Sequence, residues 1–204
     1  MYPETLATDH RVIWSQPEHS RTTNLVLVFH DANSTAETAA EHYFASLPET
    51  TTGLAIEAGF DGTFGHRWFQ TDHYANPNFP EVLSAAHRVF DAIDEDEFGT
   101  SRYTSIQLLG IGQGAAIATT MLRVRPEAIN SVVAINGYVL DNPMLAAMDT
   151  TEAALKNTPV LWIGAEDQHD PSAEFTREWL TTHTRVVEAE NSSAIAPFLT
   201  QNVS

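Results

Sequence analysis

The stretch 104–118 has the spacing of a turn that could present a catalytic group. An apolar run ends at Gly110, glycine recurs at Gly112 and Gly114, and an alanine-rich helical pattern then continues to about Arg123. In one kind of catalytic turn, a strand, a sharp turn and a helix in this order present a nucleophilic serine at the centre of the motif Gly-x-Ser-x-Gly. Here the central position is Gly112, so the residue that would carry the chemistry is missing.

Two nucleotide-binding interpretations of this turn fail on context. Gly110 to Ala115 fits Gly-x-Gly-x-x-Ala, but a dinucleotide site also needs an acidic residue at the end of the next strand. That strand ends at Ile135-Asn136-Gly137 without one. A phosphate-binding P-loop would need Lys followed by Ser or Thr after the glycines, and neither follows. We therefore expect no cofactor.

Strand and helix patterns alternate along the chain around this turn. Strands are predicted at 11–14, 24–30, 53–57, 105–109, 131–135, 159–164 and 185–189, and helices at 36–47, 80–97, 113–123, 172–181 and 195–200. The segment 59–80 has loop composition, and 136–156 is turn-rich with one short helix. This order predicts one α/β domain over residues 1–204, with a mainly parallel sheet of about six or seven strands and helices on both faces. The segment between Ile135 and Pro159 is too short for a large cap domain.

The composition disfavours two classes of partner and indicates a cellular compartment. The chain has 27 acidic against 10 basic residues and a formal charge of -17, which disfavours nucleic acid and anionic membranes as partners. It contains no cysteine, and its N-terminal residues lack the pattern of a signal peptide. We expect a cytoplasmic protein, either a monomer or a homodimer.

Five segments in order resemble the phospholipase/carboxylesterase branch of the α/β-hydrolases, which includes small serine esterases and acyl-protein thioesterases. They are 25–33 (LVLVFHDAN), 65–69 (GHRWF), 108–114 (LLGIGQG), 133–138 (VAINGY) and 160–167 (VLWIGAED). In the family these correspond to a strand ending in His-Gly-x-Gly, to Gly-x-x-Trp-Phe, to Gly-Phe-Ser-Gln-Gly, and to strands ending in Ser-Gly-Tyr and His-Gly-x-x-Asp. The resemblance spans about residues 24–200 and implies an α/β-hydrolase fold without a large cap.

The resemblance also implies where the members of a Ser–Asp–His triad would stand. The acid position is Asp167, the nucleophile position is Gly112, and the histidine position is Ala194 or its neighbour Ser193. The last histidine, His183, precedes the final strand, so both the nucleophile and the base are missing. Since a serine nucleophile needs an imidazole to take its proton, these replacements predict a degenerate triad and a non-catalytic binding or regulatory protein.

The surroundings of the triad follow from the same resemblance. The oxyanion donors would be the backbone N–H groups of Ala32 and Gln113, and Asp31 replaces the glycine of the family. A carboxylate at Asp31 would repel a developing oxyanion if it pointed inward. His30 is expected to pack below this site.

Trp68 and Tyr138 could line a pocket for a small acyl or ester-like ligand, or could simply pack in the core. His30 and Asp31 would line the same pocket. Asp167, His169 and Asp170 lie close together in sequence, but no helical pair of histidines accompanies them, so we expect no metal.

An alternative is a carboxylic-ester hydrolase with a rebuilt active site. His30, His66 or Asp167 would then act on a water molecule in place of the missing serine and histidine.

Overall fold

An eight-stranded sheet runs through the computed structural model, which describes residues 1–5, 11–72, 76–149, 157–164 and 171–203. Its strands are β1 (Tyr2–Thr5), β2 (Arg11–Trp14), β3 (Asn24–Phe29), β4 (Thr51–Ile56), β7 (Ser105–Ile111), β8 (Ser131–Ile135), β9 (Pro159–Ile163) and β10 (Arg185–Ala189). They lie in the order β1-β2-β4-β3-β7-β8-β9-β10. Two further short strands, β5 (Phe60–Asp61) and β6 (His66–Arg67), form a separate antiparallel pair.

The six strands from β4 to β10 in this order are parallel, while β2 runs antiparallel to both β1 and β4. The sheet is therefore mainly parallel, as predicted, but it has eight strands rather than six or seven. The strand of this eight-stranded sheet that the sequence did not predict is β1. All four of its residues are exposed and one is Pro3, so no apolar alternation marks it. Proline is tolerated there because β1 is an edge strand.

Six described helices cover the two faces of the sheet. They are α1 (Ala36–Tyr43), α2 (Phe79–Asp94), α3 (Gln113–Val124), α4 (Pro143–Asp149), α5 (Pro171–His183) and α6 (Ile195–Gln201). Side chains of α2, α3, α4 and α5 pack with one face, and those of α1 and α6 pack with the other. Alternate residues of β3 enter the two cores: Leu25, Leu27 and Phe29 face α3, and Val26 and Val28 face α1.

Most of the predicted elements occur within a few residues of their predicted bounds. Helix α1 ends at Tyr43, earlier than predicted, and a 3₁₀ turn over Phe44–Ser46 follows it. Strand β7 continues two residues further, to Ile111. The predicted loop at 59–80 contains β5 and β6. Within the described residues, no helix has the length and apolar character needed to cross a bilayer.

A buried ion pair and one indole hydrogen bond join helices α3, α4 and α5 on one face of the sheet. The Arg123 guanidinium of α3 makes two bonds to the carboxylate of Asp149 in α4, at 2.9 Å from Nε and 2.5 Å from Nη2. The indole N–H of Trp179 in α5 donates to the same carboxylate at 2.9 Å, and Arg123 also donates to the Leu140 carbonyl. Both charged side chains are almost fully buried, so each depends on the other to compensate its charge away from water.

The Asp149→Asn variant is expected to lose about 3–5 kcal/mol of unfolding free energy, because it leaves the Arg123 charge buried without a counter-charge. Urea denaturation at neutral pH measures this loss. The matched control is Asp94→Asn, which breaks the exposed pair between Asp94 and Arg125 and should lower the urea midpoint much less. Equal shifts in the two variants would contradict a structural role for the buried pair.

Candidate functional site

The turn between β7 and α3 has the backbone conformation of a sharp strand-to-helix turn. Gly112 lies between Ile111, the last residue of the strand, and Gln113, the first of the helix. Its φ and ψ of 51° and -114° are strained for a residue with a side chain, and glycine adopts them without that strain. The N–H of Gly112 donates to the Ile135 carbonyl of β8 at 2.9 Å, which fixes the turn at the carboxyl edge of the sheet.

The end of β3 lies directly against this turn. A Cβ atom at Gly114 would collide with the carbonyl groups of Phe29 and His30, so only glycine allows the two backbones to approach so closely. This contact places Asp31, the second residue after β3, beside Gly112 and the first turn of α3.

The Asp31 carboxylate points at the start of α3 and occupies the two predicted oxyanion donors. Its Oδ1 atom accepts hydrogen bonds from the backbone N–H of Ala32 at 2.7 Å and from that of Gln113 at 2.8 Å. A Cβ atom built on Gly112 would overlap this carboxylate, with Oδ2 at 2.5 Å and both Oδ1 and Cγ nearer still. The carboxylate therefore fills the space that a side chain at position 112 would need.

The Gln113 side chain fastens the segment that follows β6 to the same turn. Its Oε1 atom accepts from the backbone N–H of Trp68 at 2.7 Å, and its Nε2 donates to the Phe69 carbonyl at 2.9 Å. The indole N–H of Trp68 donates to the His30 carbonyl at 2.8 Å, and its ring meets that of Phe29 edge-on. Trp68 is thus a core residue that supports the turn from below.

His30 is fully buried beneath Asp31, and both of its ring nitrogens have partners. Nδ1 donates to the Asp31 carbonyl oxygen at 2.7 Å. Nε2 lies 3.0 Å from the Ala58 backbone nitrogen and 3.0 Å from Oε1 of Glu57. It accepts from the Ala58 N–H when the ring is neutral, and a protonated ring would donate to Glu57 instead. Neither nitrogen is free to take a proton from a substrate.

Glu57 is a buried carboxylate between His30 and the N-terminus of α1. Burial by itself would raise the pKa of Glu57, because it disfavours the charged carboxylate. The hydrogen bond and charge of His30, together with the hydrogen bonds from the Ala36 N–H, outweigh burial and lower the pKa of Glu57 below its usual value. A carboxylate also suits the first turn of a helix, where the unpaired N–H groups lie.

A groove of about 190 Å³ opens beside Asp31, between the end of β3 and α1. Its described lining combines apolar surface with a few polar groups, from His30, Asp31, Ser34, Thr38, Ala39, His42, Tyr43 and Ile111. Burial and the charge of Asp31 raise the pKa of Tyr43, and the same two causes raise the pKa of Tyr138 to about 12. Both tyrosines are therefore neutral hydroxyl groups near a carboxylate at physiological pH.

The structure distributes the residues predicted for the site as follows. Gly112, Asp31, Ala32, Gln113 and His30 come together at the carboxyl edge of β3 and β7. Trp68 is not among the described residues that line the groove, and Tyr138 is half-buried against the core on the α3 side.

The remaining predicted residues lie farther along the chain or outside its described part. Ala194 lies in a 3₁₀ turn before α6 and contacts the core on the α1 side. Asp167, His169 and Asp170 are outside the described residues. His66 lies on β6, with its ring near Asp61 and its backbone paired with Ser34. Among the described residues, no group of three His, Asp or Glu side chains could hold a metal ion.

Sequence reasoning missed two parts of this site. One is the α1 wall of the groove, although Thr38, Ala39, His42 and Tyr43 recur at the spacing that places residues on one helical face. The other is Glu57, for which the signal was an acidic residue at the end of an otherwise apolar strand.

Solved structures similar to this chain include esterases and a thioesterase. A carboxylesterase from Mesorhizobium loti superposes with a TM-score of 0.74 at 16% identity, covering 96% of each chain. Acyl-protein thioesterase 2 from Zea mays has the same TM-score at 13% identity, covering 95% of this chain and 99% of its own. The Bacillus cereus carboxylesterase gives 0.73 at 14% identity, covering 95% of this chain and 94% of its own.

The sequence comparisons returned nothing comparable. No family model matches the chain, and no curated protein is significantly similar to it. The structural likeness and the strand order confirm the predicted α/β-hydrolase fold. At these identities the likeness establishes the fold and leaves activity to be argued from the site.

Acid sensitivity should distinguish Glu57 from an exposed carboxylate. Its lowered pKa means that the ionised carboxylate stabilises the folded state fully above the unfolded value of 4.5, and that this stabilisation is lost as the pH falls through the lower folded value. In Glu57→Gln this contribution is absent. The gap in unfolding free energy between wild type and Glu57→Gln should therefore narrow as the pH falls from about 7 to about 3.

Urea denaturation across this pH range measures the gap. The control is Glu49→Gln, at an exposed carboxylate in a turn, which measures the effect of removing one negative charge from the surface. A gap for Glu57→Gln that stays constant with pH would contradict the stabilising role of the charged carboxylate.

Proposed function

We propose that this chain is a protein of the carboxylesterase type that does not hydrolyse esters and acts instead as a ligand-binding or regulatory protein. The observation that carries the proposal is the Asp31 carboxylate, which accepts from both oxyanion donors and covers Gly112. A nucleophile is absent from the turn, and the donors that would stabilise a tetrahedral intermediate are already occupied. Three requirements of acyl transfer are then missing together at their expected positions: a serine at 112, a histidine at 194 and an open oxyanion site.

The magnitudes favour inactivity rather than reduced activity. Removing the nucleophile or base of a serine hydrolase lowers kcat by about 10⁶, and what remains, about 10³–10⁴ over water, comes from the oxyanion site and substrate binding. With a carboxylate already in that site, the oxyanion part of the remainder is lost too. A negative charge there opposes the developing charge of the transition state.

A rebuilt hydrolytic site on His30 or His66 has less support. His30 is fully buried with both ring nitrogens in hydrogen bonds, so it has no free lone pair to present to a water molecule in the groove. His66 is only partly buried, but it is not among the described residues that line the groove. These contacts favour the binding protein over the rebuilt enzyme.

The first test is catalysis itself. The purified protein is expected to turn over p-nitrophenyl acetate and butyrate no faster than a buffer containing an unrelated protein, and to take no label from a fluorophosphonate probe. Asp167→Asn should leave both results unchanged, because no nucleophile depends on that acid. Saturable hydrolysis that Asp167→Asn or His66→Ala abolishes would overturn the proposal in favour of the rebuilt enzyme.

The second test restores the missing groups. The double variant Gly112→Ser with Ala194→His should remain inactive, because the serine Cβ collides with the Asp31 carboxylate and because that carboxylate, even when it rotates away, keeps a negative charge beside the developing oxyanion. Adding Asp31→Gly removes that collision and frees both donors, so the triple variant should hydrolyse p-nitrophenyl butyrate measurably and take the fluorophosphonate label at position 112. The serine alone gains little without a base.

The matched control is Gly112→Ser with Asp31→Gly and Ala194 retained, and circular dichroism verifies that each variant is folded. If Gly112→Ser with Ala194→His were as active as the triple variant, the blocking role of Asp31 would be contradicted. A folded triple variant that is neither active nor labelled would contradict the assignment of positions 112 and 194.

A further inference from the structure

The Asp31 carboxylate has no cationic partner among the described residues. Both of its hydrogen bonds, from Ala32 and Gln113, fall on Oδ1. No described residue donates to Oδ2, and no described Lys, Arg or His forms an ion pair with this side chain. The side chain is exposed at the groove. Among the described residues, one oxygen is thus held by two N–H groups and the other has no partner.

The other polar groups of the groove also favour a ligand that donates hydrogen bonds. The Nδ1 of His42 donates to the Thr38 carbonyl at 2.7 Å, which leaves Nε2 of the neutral ring as an acceptor. The hydroxyl groups of Ser34 and Tyr43 can accept as well as donate. No Lys or Arg is among the described residues of the lining, so no permanently cationic side chain there would attract an anion.

The apolar part of the lining limits the body of such a ligand. Ala39, Ile111 and the ring of Tyr43 provide apolar surface next to the carboxylate. A volume of about 190 Å³ suits a short alkyl chain rather than a long acyl chain. The chain carries a net charge of -17, which raises the local concentration of small cations and repels small anions.

We propose that this groove binds a small primary ammonium compound with a short apolar body, its ammonium group on Oδ2 of Asp31 and its body against Ala39, Ile111 and Tyr43. The inference rests on the proposed function, because a site that bound and hydrolysed esters would need the Asp31 carboxylate out of the oxyanion donors. It assigns the groove a ligand of opposite charge to the anionic intermediate of ester hydrolysis.

The test compares three probes of equal length and different charge: n-butylammonium, 1-butanol and butyrate. Each is titrated into ¹⁵N-labelled protein at constant ionic strength and pH 7, and the backbone amide shifts of Ala32, Tyr43 and Gln113 are followed. Butylammonium is expected to shift these amides saturably and to bind at least about tenfold more tightly than butyrate, since the attraction of unlike charges is replaced by repulsion. Butanol should fall between the two.

Variants of Asp31 separate the carboxylate from general electrostatics. In Asp31→Asn the side-chain oxygen still accepts from both N–H groups, so the fold is kept while the charge is removed, and butylammonium should bind about three- to fivefold more weakly. The control is Asp91→Asn on an exposed part of α2, which removes the same charge far from the groove and should leave the affinity unchanged. Asp31→Gly opens the two donors and should reverse the preference toward butyrate.

The outcomes are distinct from those of the catalytic tests. Equal binding of butylammonium and butyrate by wild type, or equal weakening in Asp31→Asn and Asp91→Asn, would overturn the ammonium site and leave the absence of esterase activity intact. An active esterase in the assays above would overturn the proposed function, whether or not butylammonium binds.

Discussion

The hydrogen bonds from Ala32 and Gln113 to one oxygen of Asp31 are the interaction on which this site depends. The N-terminus of a helix leaves N–H groups without intrahelical partners, and its dipole favours a negative charge. Asp31 supplies both a partner and a charge from the neighbouring strand. The same bond joins the end of β3 to the start of α3, so the carboxylate acts as a cap that comes from another element. A site that could bind a transient anion is instead satisfied permanently by a side chain.

Gly112 and Asp31 form one structural state rather than two independent features. The carboxylate can lie across the turn only because position 112 has no Cβ, since a Cβ there would overlap it. Conversely, a serine at 112 would face a negative charge and donors that are already in use. Below them, the Gln113 side chain accepts a hydrogen bond from the Trp68 backbone, and His30 lies against Glu57. These contacts support the turn from beneath. This scaffold of contacts holds the turn in a backbone conformation that glycine adopts without strain.

The sequence predicted the fold because its strongest signals are local. The apolar runs of β3, β7 and β8 and the periodic spacing of α2 and α3 specify the elements to within a few residues. Strand β1 was missed because an exposed edge strand has no apolar pattern, and its pairing with β2 is decided by tertiary contact. For the site, the sequence indicated that Asp31, Gly112 and Gln113 share one edge of the sheet, since the carboxyl ends of parallel strands meet there. It could not predict the rotamer of Asp31 or the wall that α1 adds to the groove, because both depend on packing between elements distant in sequence.

The sign of the charge at the turn decides what the site can recognise. An esterase needs donors directed at a point where negative charge develops, and the backbone of this turn still provides them. Once a carboxylate occupies those donors, the surface presented to a ligand changes from an array of N–H groups to an oxygen that carries a negative charge. Under the proposed function, the geometry of the turn is kept while its electrostatic complementarity is inverted, from an anionic intermediate to a cation or a hydrogen-bond donor. The Asp31 side chain, two residues after β3, therefore changes the charge at the turn without any change in the fold.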